Sequence, residues 1–443
     1  MLITKENSSV LNNVSFTFGA KIITLFLSLL IGIIIARTLG PSGKGLLAVI
    51  TMVWTVVLQL GHLGIGSFNI YAISNKSVEK KDIIGNSFWL GSIIGIVCFL
   101  IILILVFCFP LIFRNIPRSY LLFYLLFLPF AFWTNFFCAI LTGEEKFRKL
   151  NVFIIIGQAI NLVGVVLLLL VFKLNIFYIL AWYALVNVIN ALLPMGFVFL
   201  RDGFHFNFNL SVLKKSLNYG VKICVAGIFA FLILRVDLYM VNFFKGMAQA
   251  GFYSLASTFG NIFFILPFSI ITVIFPRINS EDKSKKESIA KYSRISLFFV
   301  FLMAIGALLF IRPIIGLLYG RVFLVSVQPI ILLLPGLIAW SMAYILGQYF
   351  FSIGYPLKLT FSWFLVAILN IILNFIYIPQ YGMIAAALSS TVSYILALGF
   401  HYYFFHKETG LGVYDVFVPR KAEMKSIFNR IIGFLRKDIK NVV

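Results

Sequence analysis

Acidic side chains are scarce in this chain, with 14 Asp and Glu against 36 Lys and Arg in 443 residues, a net charge of +22. Cysteine is rarer still: Cys98, Cys108, Cys138 and Cys224 fall inside apolar runs at unrelated spacings. That pattern forms neither a metal motif nor a disulfide framework, and the four read as small buried apolar residues. The four histidines show no metal-ligand spacing, and no nucleophile–base pair or Walker-type glycine loop occurs. No cofactor or metal is therefore expected, and the chain is not expected to be an enzyme. Without a nucleotide site, energy for any work comes from the membrane potential, an ion gradient or a substrate gradient.

What is abundant is apolar. Hydrophobic residues make up 62% of the chain and charged ones 11%, with a mean hydropathy of +1.05. No globular core absorbs so much apolar surface. Twelve apolar spans of roughly 20 residues or more, each enough to cross a bilayer core of about 30 Å, are predicted. They lie near 16–36, 46–70, 84–109, 120–141, 151–172, 176–200, 218–243, 252–275, 293–318, 323–350, 357–379 and 384–405. The first run is too long for a cleavable signal peptide, and no small-residue cleavage site follows it.

The basicity invites a nucleic-acid reading that the charge positions reject. With a cytoplasmic N-terminus, about 25 basic residues fall inside and about 8 outside, the asymmetry of the positive-inside rule. The inside set includes Lys76, Lys80, Lys81, Lys146, Arg148, Lys149, Arg201, Lys214 and Lys215. Both termini are then cytoplasmic in a multi-pass cell-membrane protein, and anionic lipid headgroups reinforce the bias.

An altered repeat runs through the chain. The first helix enters as Phe18-Gly19-Ala20-Lys21 and the seventh as Tyr219-Gly220-Val221-Lys222. The next helices open as Gly45-Leu-Leu-Ala and Gly251-Phe-Tyr-Ser-Leu-Ala. Six spans separate the copies, so the halves are predicted to be parallel repeats about an axis along the membrane normal. The expected division is an N-terminal six-helix lobe over 1–215, a C-terminal six-helix lobe over 216–405 and a basic cytoplasmic tail over 406–443. In the tail Met424, Ile427, Phe428, Ile431, Ile432, Leu435 and Ile439 recur at helical spacing among lysines and arginines, as in an amphipathic helix lying on a leaflet.

Several segments carry a family resemblance: Ala36-Arg37-Thr-Leu-Gly40-Pro41 through Gly45, Leu63-Gly64-Ile-Gly66-Ser67, Phe275-Pro276-Arg277, Leu318-Tyr319-Gly320, and Ile378-Pro379-Gln-Tyr381-Gly382 leading into Ala385-Ala386-Ala387. In their order and spacing the chain resembles the polysaccharide (O-antigen type) flippases of the multidrug/oligosaccharidyl-lipid/polysaccharide exporter superfamily. The resemblance implies an all-α polytopic membrane protein of twelve helices in two lobes, around a cavity that opens alternately to each side. The glycines and prolines also read architecturally, as tight hairpins and close helix packing.

Charges inside spans are costly, about 2.5–3.5 kcal/mol each at a helix centre, and normally face a wet cavity or a partner. Asp237 is the sole acid within a span; Lys21, Lys222 and Arg235 are the basic residues well inside, with Arg312 near an outer end. Lys21 and Lys222 hold matching repeat positions, which a pseudo-two-fold axis would place on opposite walls of one cavity mouth, a pairing suited to a diphosphate. Snorkelling to the interface is the competing reading. With Arg37 and His62 they and Arg235 form the candidate headgroup cavity; His62 also reads as a hydrogen-bonded packing residue. On helix seven Asp237 lies about 60° round from Lys222 and about 22 Å further along, and Arg235 about 140° round. Asp237 is thus expected to face the cavity if Lys222 does, and Arg235 a neighbouring helix. Ion coupling and structural pairing are both open for Asp237. Glu144 and Glu145 read as solvated loop acids.

The function expected is export of an isoprenoid-diphosphate-linked oligosaccharide from the inner to the outer leaflet for surface polysaccharide synthesis. Its partners would be that substrate, membrane lipids and polysaccharide polymerase or assembly proteins, with no nucleic acid. The alternatives are a cation-coupled multidrug exporter, a carrier of another lipid-linked precursor such as that of peptidoglycan, or a membrane polymerase or ligase. A cation antiporter needs acids in its N-terminal lobe, and the external loops look too short for a ligase.

Overall fold

The computed structural model describes residues 2–280, 285–353 and 357–423. Within them the chain is helical, with no strand, because in lipid every backbone N–H and C=O must be paired within its own segment. The helices are α1 (Leu2–Gly61), α2 (Ile65–Ser74), α3 (Lys80–Cys108), α4 (Arg118–Leu125), α5 (Leu128–Gly143), α6 (Phe147–Val166) and α7 (Ile176–Asp202). They continue with α8 (Leu210–Lys245), α9 (Met247–Ser280), α10 (Lys285–Leu318), α11 (Val327–Ser352), α12 (Leu357–Tyr381), α13 (Met383–Thr409) and α14 (Val413–Phe417).

Eleven helical segments among the described residues are long and apolar enough to span a bilayer. The first, Phe16–Gly61, has 46 residues. At 1.5 Å per residue it measures about 69 Å, more than twice a bilayer core of about 30 Å. It holds two helices joined at Gly40, whose φ of 66° and ψ of −171° break the helix ahead of Pro41. Eleven segments therefore make twelve crossings, in register with the predicted spans.

The second span differs from its expected continuous form. It stops at Gly61 and resumes at Ile65, with Leu63 (φ 48°) and Gly64 (φ 71°) in the left-handed region. The cause is a close crossing: a Cβ on Gly64 would overlap the Gly220 carbonyl, and one on Gly220 would overlap the Leu63 oxygen. Hydropathy is blind to such a break, since the residues on both sides are equally apolar.

The chain divides into two compact units. One comprises Met1–Leu255, Ile315–Ser326 and Ile371–Ala386; the other comprises Ala256–Ile314, Val327–Asn370 and Ala387–Val443. In the first, α3 packs on α5, α1 on α6, α5 on α7, and α8 on α1 and α2. One end of this unit is pinned by charge. Lys80 at the start of α3 pairs with Glu144 and with Asp202 (2.6 Å), while Arg201 reaches Glu144 at 2.8 Å and Lys146 reaches it at 3.3 Å. Glu144 is only 12% exposed and joins the ends of four helices, whereas Glu145 is exposed as read from sequence. The pairing partners lie 57 and 64 positions away, beyond the reach of local pattern.

The segment between α7 and α8 is bolted to α3. Trp89 Nε1 donates to the Phe206 carbonyl (2.7 Å), and Asn86 both donates to the Asn209 carbonyl (2.9 Å) and accepts from its N–H (2.8 Å). Asn209 also donates to Asp82 (2.8 Å) and caps α8 by accepting from Ser211 N–H (3.0 Å).

In the second unit Ile289, Ile345, Leu346, Phe350, Leu359 and Phe405 form a buried core with Val416 of α14. The tail folds back onto this core. Buried Arg294 donates through Nε to Glu423 (2.9 Å), through Nη2 to the other Glu423 oxygen, and to the Asp415 carbonyl. The amphipathic pattern over 424–439 lies outside the described residues.

Glu423's carboxyl is held below the usual carboxylate range, first by the hydrogen bond from Arg294. A depressed folded-state value means the clasp contributes fully above the ordinary carboxylate value and is lost as pH falls through the depressed one. A spin label at Lys421 is expected to be immobile at neutral pH and to gain mobility only on strong acidification. Mobility independent of pH, or Glu423→Gln behaving as wild type at neutral pH, would refute the clasp.

Candidate functional site

The repeat turns meet. A Cβ on Gly45 would overlap the Met247 carbonyl oxygen and lie 2.8 Å from Gly251 N. A Cβ on Gly251 would overlap the Pro41 carbonyl oxygen and lie 3.0 Å from Gly45 N. Each glycine faces the residue four places before the other, so the contact is reciprocal. Backbone meets backbone where the helices after the first and seventh spans begin, as small residues permit in membrane packing.

Lys44 sits at this crossing. It is 8% exposed, its ammonium is 5.7 Å from the centre of the Tyr319 ring, and no carboxylate partners it among the described residues. A cation over an aromatic face recovers part of its lost solvation, from about 0.5 kcal/mol at exposed sites to about 2 kcal/mol at desolvated ones. In the sequence Lys44 falls within the hairpin segment 36–45, and nothing in its neighbours marks it as buried.

Arg37, seven residues earlier and before the break at Gly40, is exposed, and its guanidinium donates through Nε to the Leu318 carbonyl (2.8 Å) and through Nη2 to that of Leu317. It closes the C-terminal end of α10, whose last carbonyls lack helical partners. His62 accepts at Nδ1 from Gly64 N–H (2.8 Å), which places its proton on Nε2 and braces the break in the second span.

Lys21 is exposed near the start of the first span, beside exposed Ile22 and Ile23. The side chain of Lys222 lies outside the described residues. Arg235 is half-buried in α8, with no hydrogen-bond or ion-pair partner among the described residues. Asp237 is 2% exposed, accepts from the Leu238 N–H (2.7 Å) and accepts from the Tyr253 hydroxyl of α9. The structure thus turns Asp237 towards a neighbouring helix and leaves Arg235 without a partner there. The expectation had rested on the facing of Lys222. As helical spacing implied, Arg235 and Asp237 do not pair.

The model of the polysaccharide biosynthesis protein family matches residues 10–281, more than half of the chain, and the chain belongs to that family. The "Probable low-salt glycan biosynthesis flippase Agl15" of Haloferax volcanii is 22% identical over 193 residues, which cover 42% of this chain and 41% of that protein. The chain therefore spans about two fifths of the length of this curated relative. Among solved structures, the lipid II flippase MurJ in an inward closed conformation superposes with a TM-score of 0.75 at 16% identity, over 95% of this chain and 92% of that one. An inward-facing multidrug resistance transporter of the MATE family, of the MOP superfamily, gives 0.69 at 15% identity, over 87% and 94%. The fold is the two-lobe helical fold of these transporters.

Proposed function

We propose that the protein is a flippase that moves an isoprenoid-diphosphate-linked oligosaccharide from the inner to the outer leaflet of the cell membrane, for surface polysaccharide synthesis. It works by alternating access between lobes 1–215 and 216–405, with both termini cytoplasmic and the tail 406–443 on the inner leaflet. The observation that carries the reading is a set of intramembrane cations without counter-ions among the described residues: there Arg235 has no partner and Lys44 has only an aromatic ring. An isolated charge in a low-dielectric interior is expensive unless something completes it, and a diphosphate does so by charge-assisted hydrogen bonds. Lys21 and Lys222 extend the set towards the cytoplasmic mouth, and Asp237 is its candidate for coupling to a proton or sodium gradient. Arg37 and His62, engaged with backbone groups, shape the cavity wall. Membrane lipids and polymerase or assembly proteins are the expected partners.

The test is flipping of a fluorescent polyprenyl-diphosphate N-acetylglucosamine in vesicles containing the purified protein. Wild type is expected to translocate it. Arg235→Gln is expected to slow translocation roughly tenfold, the loss of about one charge-assisted contact of 1.5–3 kcal/mol partly offset by the remaining cations. Lys21→Arg and Lys222→Arg are expected to retain more activity than the Gln variants. Equal rates for wild type and Arg235→Gln, or no translocation by wild type, would remove the reading.

A further inference from the structure

Lined by none of the cations above, a cavity of about 540 Å³ opens where α2 ends and α8 begins. Its lining combines aromatic faces with hydrogen-bonding groups: Phe68 and Tyr71 from α2, Ser77 from the following turn, and Lys215, Asn218 and Tyr219 from α8. The volume lies within the usual range for small-ligand sites. Resting on the flippase reading, we propose that this cavity is an entry subsite that binds the sugar-phosphate part of the lipid-linked substrate before it reaches the intramembrane cations.

Tyr71, Ser77, Lys215, Asn218 and Tyr219 are exposed, and the fold fixes the backbone that carries them. Lys215, Asn218 and Tyr219 fall at i, i+3 and i+4, and Phe68 and Tyr71 at i and i+3, so each group shares one helix face. The bolted 203–209 segment and the Asn209 cap fix where α8 starts, and the Gly64–Gly220 crossing holds it against α2. Tyr71 and Tyr219 stack with ring centres 4.9 Å apart at 21°, and Phe68 braces Tyr219 edge-on at 6.1 Å. Phe68 itself is buried in the core with Ala72, Ile83 and Phe137, which keeps the platform rigid.

Exposure identifies the occupant. Tyr71 is 44% and Tyr219 37% exposed, so a braced aromatic pair presents open surface to a cavity that also holds an ammonium, an amide and a hydroxyl. Apolar ring surface facing water is unfavourable, and covering it with the apolar face of a sugar ring relieves that cost, with the phenol and amide groups meeting hydroxyls. The Lys215 ammonium supplies the charge for a phosphate. A glycerophospholipid headgroup would use the lysine and leave the platform idle. The turn bearing Ser77 is flanked by Lys76, Lys80 and Lys81, the side that the charge asymmetry makes cytoplasmic, where a headgroup assembled inside would arrive.

The test uses the full-length protein in neutral-lipid nanodiscs, titrated with polyprenyl-diphosphate N-acetylglucosamine and with the bare polyprenyl diphosphate, then in competition with phosphatidylglycerol. Tyr71→Ala and Tyr219→Ala are expected to weaken binding of the sugar-bearing probe about tenfold and to leave the bare probe within about twofold. Tyr71→Phe and Tyr219→Phe, which keep the rings, are expected to retain most of the affinity and guard against misfolding. Lys215→Gln is expected to weaken both probes. Wild-type binding that the alanine variants match, or that they weaken equally for both probes, overturns the subsite alone. Displacement by phosphatidylglycerol as effective as by the sugar-bearing probe makes it a general lipid site and also overturns it. A wild type that binds neither probe overturns the flippase reading together with the subsite.

Discussion

Gly45→Ala and Gly251→Ala are each expected to stop transport, by tenfold or more, while leaving the protein in the membrane. Each added methyl would occupy the space of a backbone carbonyl oxygen, Met247 in one case and Pro41 in the other. A backbone carbonyl cannot swing aside like a flexible side chain, so the two helix starts must separate. Overpacking of this kind costs about 1–3 kcal/mol, enough to shift a two-state equilibrium by one to two powers of ten. In the flippase reading the crossing seals the external end when the cavity faces inward, and the variants would hold that end open. The reporter is Ala250, fully buried beside Gly251. In a background with the four native cysteines replaced, Ala250→Cys is expected to resist a membrane-impermeant maleimide in the parent and to react in the Gly45→Ala variant. Normal transport by Gly45→Ala, or labelling that does not change, would show that the crossing does not have to close.

Asp237→Asn is expected to abolish the dependence of flipping on an imposed proton or sodium gradient while leaving probe binding largely intact. The amide is nearly the size and shape of the acid: its oxygen can keep accepting from the Leu238 N–H, and its NH2 can donate to the Tyr253 hydroxyl oxygen in place of the contact now made by the second carboxylate oxygen. Asp237→Leu removes both acceptors in a site where Asp237 is 2% and Tyr253 1% exposed. It is expected to lower stability by about 1–3 kcal/mol, read as reduced folded yield. Adding Arg235→Gln to Asp237→Leu is expected to restore nothing, because Arg235 is not the partner. Unchanged gradient dependence in Asp237→Asn would take the carboxylate out of the coupling step. Recovery of the double variant would contradict the observed pairing.

The twelve crossings were legible in the sequence, because a run of about 20 apolar residues is stable in a membrane and takes a helical backbone there, but the break in the second span at Leu63 and Gly64 was not. The repeat was legible as well, and it predicted that the Gly45 and Gly251 turns are counterparts; that they touch is a fact of three dimensions. Helical periodicity was sufficient to separate Arg235 from Asp237, since two residues apart on one helix never share a face. The identity of Tyr253 as the carboxylate's donor was not, because it depends on how α8 and α9 pack. Glu144 looked solvated because its partners at Lys80 and Arg201 are distant in the chain, and Lys44 looked like part of a turn because burial is conferred by Gly32 and Tyr319 from other segments. Composition and local period determined which segments enter the membrane, since transfer free energy is a property of the segment itself. Tertiary structure alone decided which charges are paired, which are left bare and which aromatic rings form a platform, since each of those depends on neighbours that only packing brings together.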